Sequence, residues 1–317
     1  MPGALDISRA ATCNGPVNTN RQQPMISLGR PTLFKHILIY ITVTLFLTSI
    51  SVISTDVEAG AHNKESENKL VCDRVRDKRV ALGNDSLVRE YSMLLLEASE
   101  KGCLTEAKSL LDQGALINVK DRQANTPVIR AAAAGQLEML KYLRNSGGEL
   151  DRPNLRGATA LMKAVQNNRR KVTKWLLKQG VQVNVLTLDN EMPLSQAAFD
   201  GNIRLLKQLI SAGADPTKKD NTNKSALIYA SAKGFHPIVS VLLEAGADPN
   251  EIFINKTTAL MWASGHTTDT PTEDAVKTVS LLLDSGADAD LRDNRGYSAL
   301  DYANQRDNQE VIDLLVQ

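Results

Sequence analysis

The residues of this chain whose types and spacing could do chemistry form one column of seven positions. Each lies directly before an alanine, at intervals of 33 residues and then one of 40. The column runs from charged to aromatic: Glu97, Arg130, Lys163, Gln196, Tyr229, Trp262 and Tyr302. Aromatic and arginine side chains are enriched at binding hot spots. We hypothesise that the three aromatics form an apolar anchor patch, while Arg130 and Lys163 take acidic groups of the same partner. The alternative is that the aromatics pack between neighbouring repeats.

Two further aromatics are candidates for the same surface. Phe199 follows two alanines, and its alternative role is a contact with the next repeat. Tyr297 lies in a turn-rich stretch with Asn294 and Arg295, where the alternative is a plain turn with solvated side chains.

The sequence contains no recognisable catalytic arrangement. It has no glycine-rich phosphate loop, no GxSxG, no HExxH and no calcium-loop pattern. Its three cysteines and four histidines show no metal-ligand spacing. The net charge of +1 argues against a nucleic-acid partner, which favours a strongly basic chain. We therefore expect no enzymatic activity, no cofactor and no metal.

The elements that must position these residues follow from a repeat. Glycines recur every 33 residues from Gly114 to Gly246, then after 40 at Gly286, and a leucine lies four residues before each. The shared break indicates a seven-residue insertion, which we assign to Thr267–Glu273. The insertion either regulates access to the surface or is inert.

Each unit reads as two short helices. Thr126 can cap the first helix, Pro127 suits its first position, and Gly135 permits the left-handed turn that ends it. The alanine column allows neighbouring helices to approach closely. The second helix is apolar at helical spacing and ends in Gly-Ala-Asp, as at Gly213.

These residues resemble the ankyrin repeat. The matching segments are TPVIRA at Thr126, TALMKA at Thr159, MPLSQA at Met192, SALIYA at Ser225, TALMWA at Thr258 and SALDYA at Ser298. The resemblance implies an all-α, ankyrin-type helix-turn-helix repeat solenoid of about seven repeats including caps, over residues 90–317. It implies a monomeric, non-enzymatic scaffold that binds a protein through its concave surface. The family's histidine is absent from every unit, and we expect apolar packing to replace its hydrogen bonds.

The N-terminal region predicts export. Residues 1–36 read as a cytosolic leader, with Met25 as an alternative start, and 37–61 as a signal peptide or a signal anchor. The uncharged run 37–53 engages the membrane during export or as an anchor, and Ala59 and Ala61 mark a cleavage site. Residues 62–89 form a charged linker with a short helix from Leu70 to Leu82. The array is then periplasmic or secreted, or anchored in the inner membrane by 37–53, and a secreted host-directed effector is an alternative function.

Cys72 and Cys103 would both lie in an oxidising compartment after export. They could pair and tie the pre-repeat segment to the first unit. The sequence equally permits two reduced thiols, and we expect the reduced form.

Overall fold

A computed structural model describes residues 67–82, 88–266 and 272–316. All regular elements in these ranges are helices, without a strand. A helix over residues 67–82 (α1) includes the stretch from Leu70 to Leu82. The first repeats follow as α2 Val88–Lys101, α3 Leu104–Asp112, α4 Pro127–Ala134, α5 Leu137–Asn145, α6 Ala160–Gln166, α7 Arg170–Lys178, α8 Pro193–Phe199 and α9 Ile203–Ser211. The remaining helices are α10 Ala226–Ala232, α11 His236–Glu244, α12 Ala259–Met261, α13 Thr272–Asp284, α14 Ala299–Gln305 and α15 Gln309–Leu315.

The helices stack in two layers. The first helix of each unit packs on the first helix of the next, and the second helices stack likewise. The spaced leucines lie in the seam between the layers, and Leu110, Leu143, Leu176, Leu209, Leu242 and Leu282 are all fully buried. The alanine column is buried too, since a larger side chain there would separate neighbouring first helices. This arrangement confirms the predicted all-α repeat solenoid.

The signals that begin and end the first helices act as the sequence predicts. The hydroxyl of Thr126 accepts a hydrogen bond from the Ile129 N–H, and Pro127 occupies the first turn. Gly135 ends α4 with φ of 87°, a left-handed conformation that favours glycine.

The six positions that lack the family histidine are filled in three ways. Four carry buried apolar side chains, as expected: Ile129, Met162, Ile228 and Met261. Asp301 differs, because its carboxylate accepts hydrogen bonds from the Ser298 N–H and hydroxyl and closes a capping box. The expectation of apolar packing is therefore wrong at Asp301, where a polar cap stands in its place, and at Ser195, which buries a hydroxyl group.

Asparagine side chains link neighbouring repeats at the C-terminal ends of the second helices. The Asn184 amide donates to the Gly213 carbonyl at 3.0 Å and accepts from the Asp215 N–H at 2.9 Å. Equivalent pairs of bonds join Asn118 to Gly147 and Glu149, and Asn250 to Gly286 and Asp288. One amide thus supplies partners for two backbone groups of the following repeat.

Helix α1 covers the N-terminal end of the array. Val75 is buried against the core, and Arg79 pairs with Glu106 at 2.8 Å. Cys72 and Cys103 form a disulfide with Cα atoms 5.3 Å apart, so the expectation of two reduced thiols is wrong. The pairing depends on tertiary structure, because the packing of α1 on the first repeat brings two cysteines that are 31 residues apart in sequence into bonding range.

The repeat with the insertion has an altered first helix. Helix α12 widens after Met261 into a π-type turn over Trp262–His266. Gly265 in this turn has φ of 141°, and a Cβ there would lie 2.8 Å from the Tyr302 carbonyl oxygen. Residues 267–271 of the predicted loop lie outside the described ranges, as do the predicted leader and export signal over 1–61. No helix within the described ranges is long and apolar enough to span a bilayer.

Candidate protein-binding surface

The seven-residue column lies along one face of the array, which we call the first-helix face. Its members project from α2, α4, α6, α8, α10, the α12 turn and α14. Six of the seven are half-buried, whereas Tyr302 is only 3% exposed. The face also includes the five-residue turns between repeats, here called tips, at residues 121–125, 154–158, 187–191, 220–224, 253–257 and 293–297. Each tip is closed by a hydrogen bond from the N–H of its first residue to the carbonyl of its last.

Tip carboxylates hold several column residues in place. The residue nine positions before Arg130 is Asp121, and their side chains pair at 2.5 Å. In the same register, the Tyr229 hydroxyl donates to Asp220 at 2.7 Å. Burial raises the pKa of Tyr229, and the bond to Asp220 raises it further. Burial would also raise the pKa of Asp220, but hydrogen bonds from Thr222, Lys224 and Tyr229 outweigh it and lower the pKa. Both groups therefore keep their ordinary charge states at neutral pH.

The last repeat has the same arrangement, with its acceptor fully buried. The Tyr302 hydroxyl donates to Asp293 at 2.7 Å, and the Asp293 side chain has no exposed surface. Burial works to raise the Asp293 pKa. Hydrogen bonds from Tyr302, from the N–H groups of Tyr297 and Arg295 and from the Arg295 guanidinium outweigh it and hold the pKa at about 2.

A cluster of aromatic rings and lysines occupies the middle of the face. Phe199 is 48% exposed and meets the Tyr229 ring edge-on, with centroids 6.2 Å apart. The Lys224 ammonium lies 5.8 Å from the Tyr229 ring centre and 5.4 Å from that of Trp262. Lys233 lies 5.3 Å from the Phe199 ring. We call these five residues the aromatic–lysine cluster.

A groove of about 320 Å³ opens beside this cluster. Phe199, Tyr229 and Lys224 line one part of it, and polar tip residues including Asp189 and Glu191 line the rest. The groove thus offers an apolar ring edge beside charges of both signs, and aromatic side chains are enriched at interaction hot spots.

A second, smaller aromatic group lies at the last tip. Tyr297 is 39% exposed, and its ring centroid is 6.0 Å from that of Tyr302. The Arg295 guanidinium covers both rings, at 5.1 Å and 5.8 Å. Tyr297 therefore presents a ring to solvent while Tyr302 supports it from within.

The structure separates the predicted site residues into three groups. Phe199, Tyr229 and Trp262 come together in the cluster, with the Trp262 indole N–H donating to Thr257 at 3.1 Å. Tyr302 lies with Tyr297 in the last repeat instead. Arg130 is paired with both Asp121 and Glu100, and Lys163 donates to Gln166 at 2.9 Å. These two cations are thus engaged within the chain.

The sequence reasoning missed the cations of both aromatic groups. Lys224 and Arg295 stand among tip residues that read as turn formers, and Lys233 belongs to no repeat column. No local signal predicted the Lys233 contact, because its ring partner Phe199 belongs to the preceding repeat. The described residues contain no group of three or more His, Cys, Asp or Glu that could hold a metal ion.

Comparisons with known proteins agree with this geometry. A family profile of ankyrin repeats matches residues 95–187 and 194–278, more than half of the chain. The chain belongs to the ankyrin-repeat family. A crystal structure of the human ASB11 ankyrin repeat domain superposes with a TM-score of 0.59 and 24% identity, covering 70% of this chain and 96% of that one. This likeness concerns the fold alone. A search of curated protein sequences finds no match. Ankyrin repeats indicate a protein-binding scaffold.

Proposed function

We propose that this protein is a non-enzymatic scaffold that binds a protein partner of the cell envelope through the first-helix face, centred on the aromatic–lysine cluster. The observation that carries the proposal is the exposed Phe199 ring, held edge-on by Tyr229 beside the 320 Å³ groove. An aromatic ring fixed by its neighbours loses little conformational entropy when a partner covers it.

The cluster also defines what the partner should carry. The Lys224 ammonium lies over the Tyr229 ring in the wall of the groove, and the Lys233 ammonium lies over the Phe199 ring. A segment with an apolar side chain flanked by carboxylates would fill the groove and meet both charges. Asp220 and Asp121 are already used by Tyr229 and Arg130. In the groove, Asp189 pairs with Arg156, and Glu191 accepts a hydrogen bond from the Gln166 amide. These carboxylates therefore serve to hold the surface rather than to contact the partner.

We further propose that the array acts outside the cytoplasm, either in the periplasm or held at the inner membrane. The uncharged run 37–53 and the small residues Ala59 and Ala61 support export. The Cys72–Cys103 disulfide gives independent support, because disulfides persist in oxidising compartments. Fractionation of the producing cells tests this part and separates a resident envelope protein from a secreted effector.

The binding proposal is tested with Phe199→Ala and Trp262→Ala in the full chain. Each variant is used as bait in the native envelope fraction, and the affinity of the captured protein is then measured with both purified. We expect Phe199→Ala to weaken binding about 30-fold, as loss of a hot-spot side chain does. Trp262→Ala should weaken binding with little loss of folding.

Val80→Ala on α1 is the matched control, since Val80 is an exposed apolar side chain remote from the cluster in the repeat order. Equal binding by wild type, Phe199→Ala and Val80→Ala would refute the proposal. A large fall in the melting temperature of Trp262→Ala with unchanged binding would assign Trp262 to packing.

A further inference from the structure

The opposite layer of the array carries a concentration of positive charge in its middle. Helix α7, with the residue before it, contains five cations, and α9 contains two: Arg169, Arg170, Lys171, Lys174, Lys178, Arg204 and Lys207. Neither helix contains an aspartate or a glutamate. All seven side chains are exposed. We call them the basic face.

The basic face is not neutralised from within the described residues. None of its seven cations forms an ion pair there. Arg169 donates to the Ala133 carbonyl, a contact that leaves its charge in place. On the neighbouring helix α5, Glu138 is already paired with Lys141 at 2.7 Å.

The cations of α7 point directly away from the core. Val172, Thr173 and Leu176 are buried, and with 3.6 residues per turn Lys171, Lys174 and Lys178 fall on the opposite side of the helix. On α9 the buried Leu205, Leu206 and Leu209 likewise leave the two cations outward. Adjacent, aligned helices therefore present one broad cationic surface.

A groove of about 410 Å³ runs between the two helices. Leu177 and Ala212 contribute apolar surface to it, and Lys174, Lys178 and Lys207 surround it. The combination is an apolar trough with ammonium groups at its edges.

We infer that the basic face docks on an anionic lipid surface, with headgroup phosphates at the lysines and the upper acyl or glycerol region over the trough. Juxtamembrane lysines and arginines each contribute favourably near an anionic leaflet. The same chain carries the uncharged run 37–53, which is suited to a bilayer, so a membrane is the polyanion that this chain would meet at the highest local concentration. Docking by the second-helix layer would turn the first-helix face, and its partner site, toward solvent. The inference concerns a different face from the proposed function and can fail independently of it.

The two tryptophans of the chain provide the reporters. Trp175 is half-buried on α7, whereas Trp262 belongs to the aromatic–lysine cluster. The full chain bearing Trp262→Phe, which leaves Trp175 alone, is mixed with vesicles that contain a nitroxide on a lipid headgroup. One vesicle set contains about 30% phosphatidylglycerol in phosphatidylcholine and the other is phosphatidylcholine alone. The apolar run is present in both, so only the charge of the surface differs.

We expect the nitroxide to quench Trp175 at least twofold more in the anionic vesicles, and raising the salt to about 1 M to remove the excess. The variant Lys171→Glu/Lys174→Glu/Lys178→Glu should lose the excess as well. The matched variant Lys120→Glu/Lys218→Glu/Lys256→Glu reverses three exposed lysines outside the basic face and should retain it. Circular dichroism melting of each variant reports whether it folds.

Equal quenching of Trp175 in the two vesicle types would overturn the inference. The inference would also be overturned if, in the converse variant Trp175→Phe, anionic vesicles quenched Trp262 as strongly as they quench Trp175. The first-helix face would then also lie against lipid. Binding of a DNA duplex or an acidic protein by the basic face without quenching by vesicles would assign the face to that partner instead.

Discussion

The lowered pKa of the buried Asp293 carboxylate in the last repeat predicts how much stability the protein loses in acid. Asp293 accepts hydrogen bonds from Tyr302 at 2.7 Å, from the Arg295 N–H at 2.8 Å and from the Tyr297 N–H at 2.9 Å. Its pKa falls from 3.8 to about 2. Since one pKa unit is worth about 1.4 kcal/mol, the ionised carboxylate stabilises the folded state by about 2 kcal/mol at neutral pH.

The sign follows from the direction of the shift. A depressed folded-state pKa gives stability that is fully present above the unfolded value near 3.8 and is lost as the pH falls toward about 2. Asp293→Asn keeps an oxygen for the two backbone N–H groups but loses the carboxylate. We expect the variant to be about 2 kcal/mol less stable than wild type at pH 7, with the gap narrowing by about 1 kcal/mol at about pH 3.

Urea unfolding at both pH values measures the gap, followed by the fluorescence of Trp262 in the adjacent repeat with Trp175→Phe in both proteins. The pKa values of Asp121 and Asp220 are lowered as well, so only the difference between wild type and Asp293→Asn is diagnostic. Tyr302→Phe is a second test, because it removes one of the hydrogen bonds that Asp293 accepts. We expect the stability of this variant to depend less steeply on pH than that of wild type. A gap of equal size at both pH values would refute the reasoning.

Three further changes test the array itself. Asn184→Ala removes both hydrogen bonds to the next repeat and should lower the free energy of unfolding by about 1 kcal/mol. A loss no larger than that caused by an alanine substitution at an exposed position would show that these bonds do not stabilise the array. Asp307→Gly should raise the melting temperature, because Asp307 has φ of 51°, and left-handed backbone disfavours a side chain by about 1 kcal/mol; an unchanged or lower value would contradict this. Cys72→Ser/Cys103→Ser opens a loop with a separation of 31 residues and should lower stability by about 3–4 kcal/mol in denaturant unfolding. If reductant does not change the free energy of unfolding of the wild-type protein, that value is contradicted.

The periodic features of the array could be predicted from the sequence because each repeat imposes the same physical requirement. A leucine is needed at every seam position, and a small residue wherever first helices touch, so Leu209 and Ala230 reveal their roles by spacing alone. The helix caps at Thr126 and Gly135 are equally local. These signals do not depend on which residues meet in space.

The features that escaped prediction depend on contacts between distant segments. Cys72 reaches Cys103 only because α1 packs on the first repeat. The roles of Lys224 and Arg295 depend on a tip folding back over rings of the first helices. The choice between an exposed anchor and a packed ring was open for every aromatic, and the structure divides them, with Phe199 exposed and Tyr302 buried.

The most direct test of the central claim is site-specific photo-crosslinking in the native envelope. A benzophenone amino acid replaces Phe199 in one protein, Tyr297 in a second, and Glu310, an exposed residue on the second-helix layer, in a third. Binding through the first-helix face predicts one shared protein adduct from Phe199 and Tyr297 and none of that mass from Glu310. The same adduct from Glu310, with none from the other two positions, would contradict binding through the first-helix face.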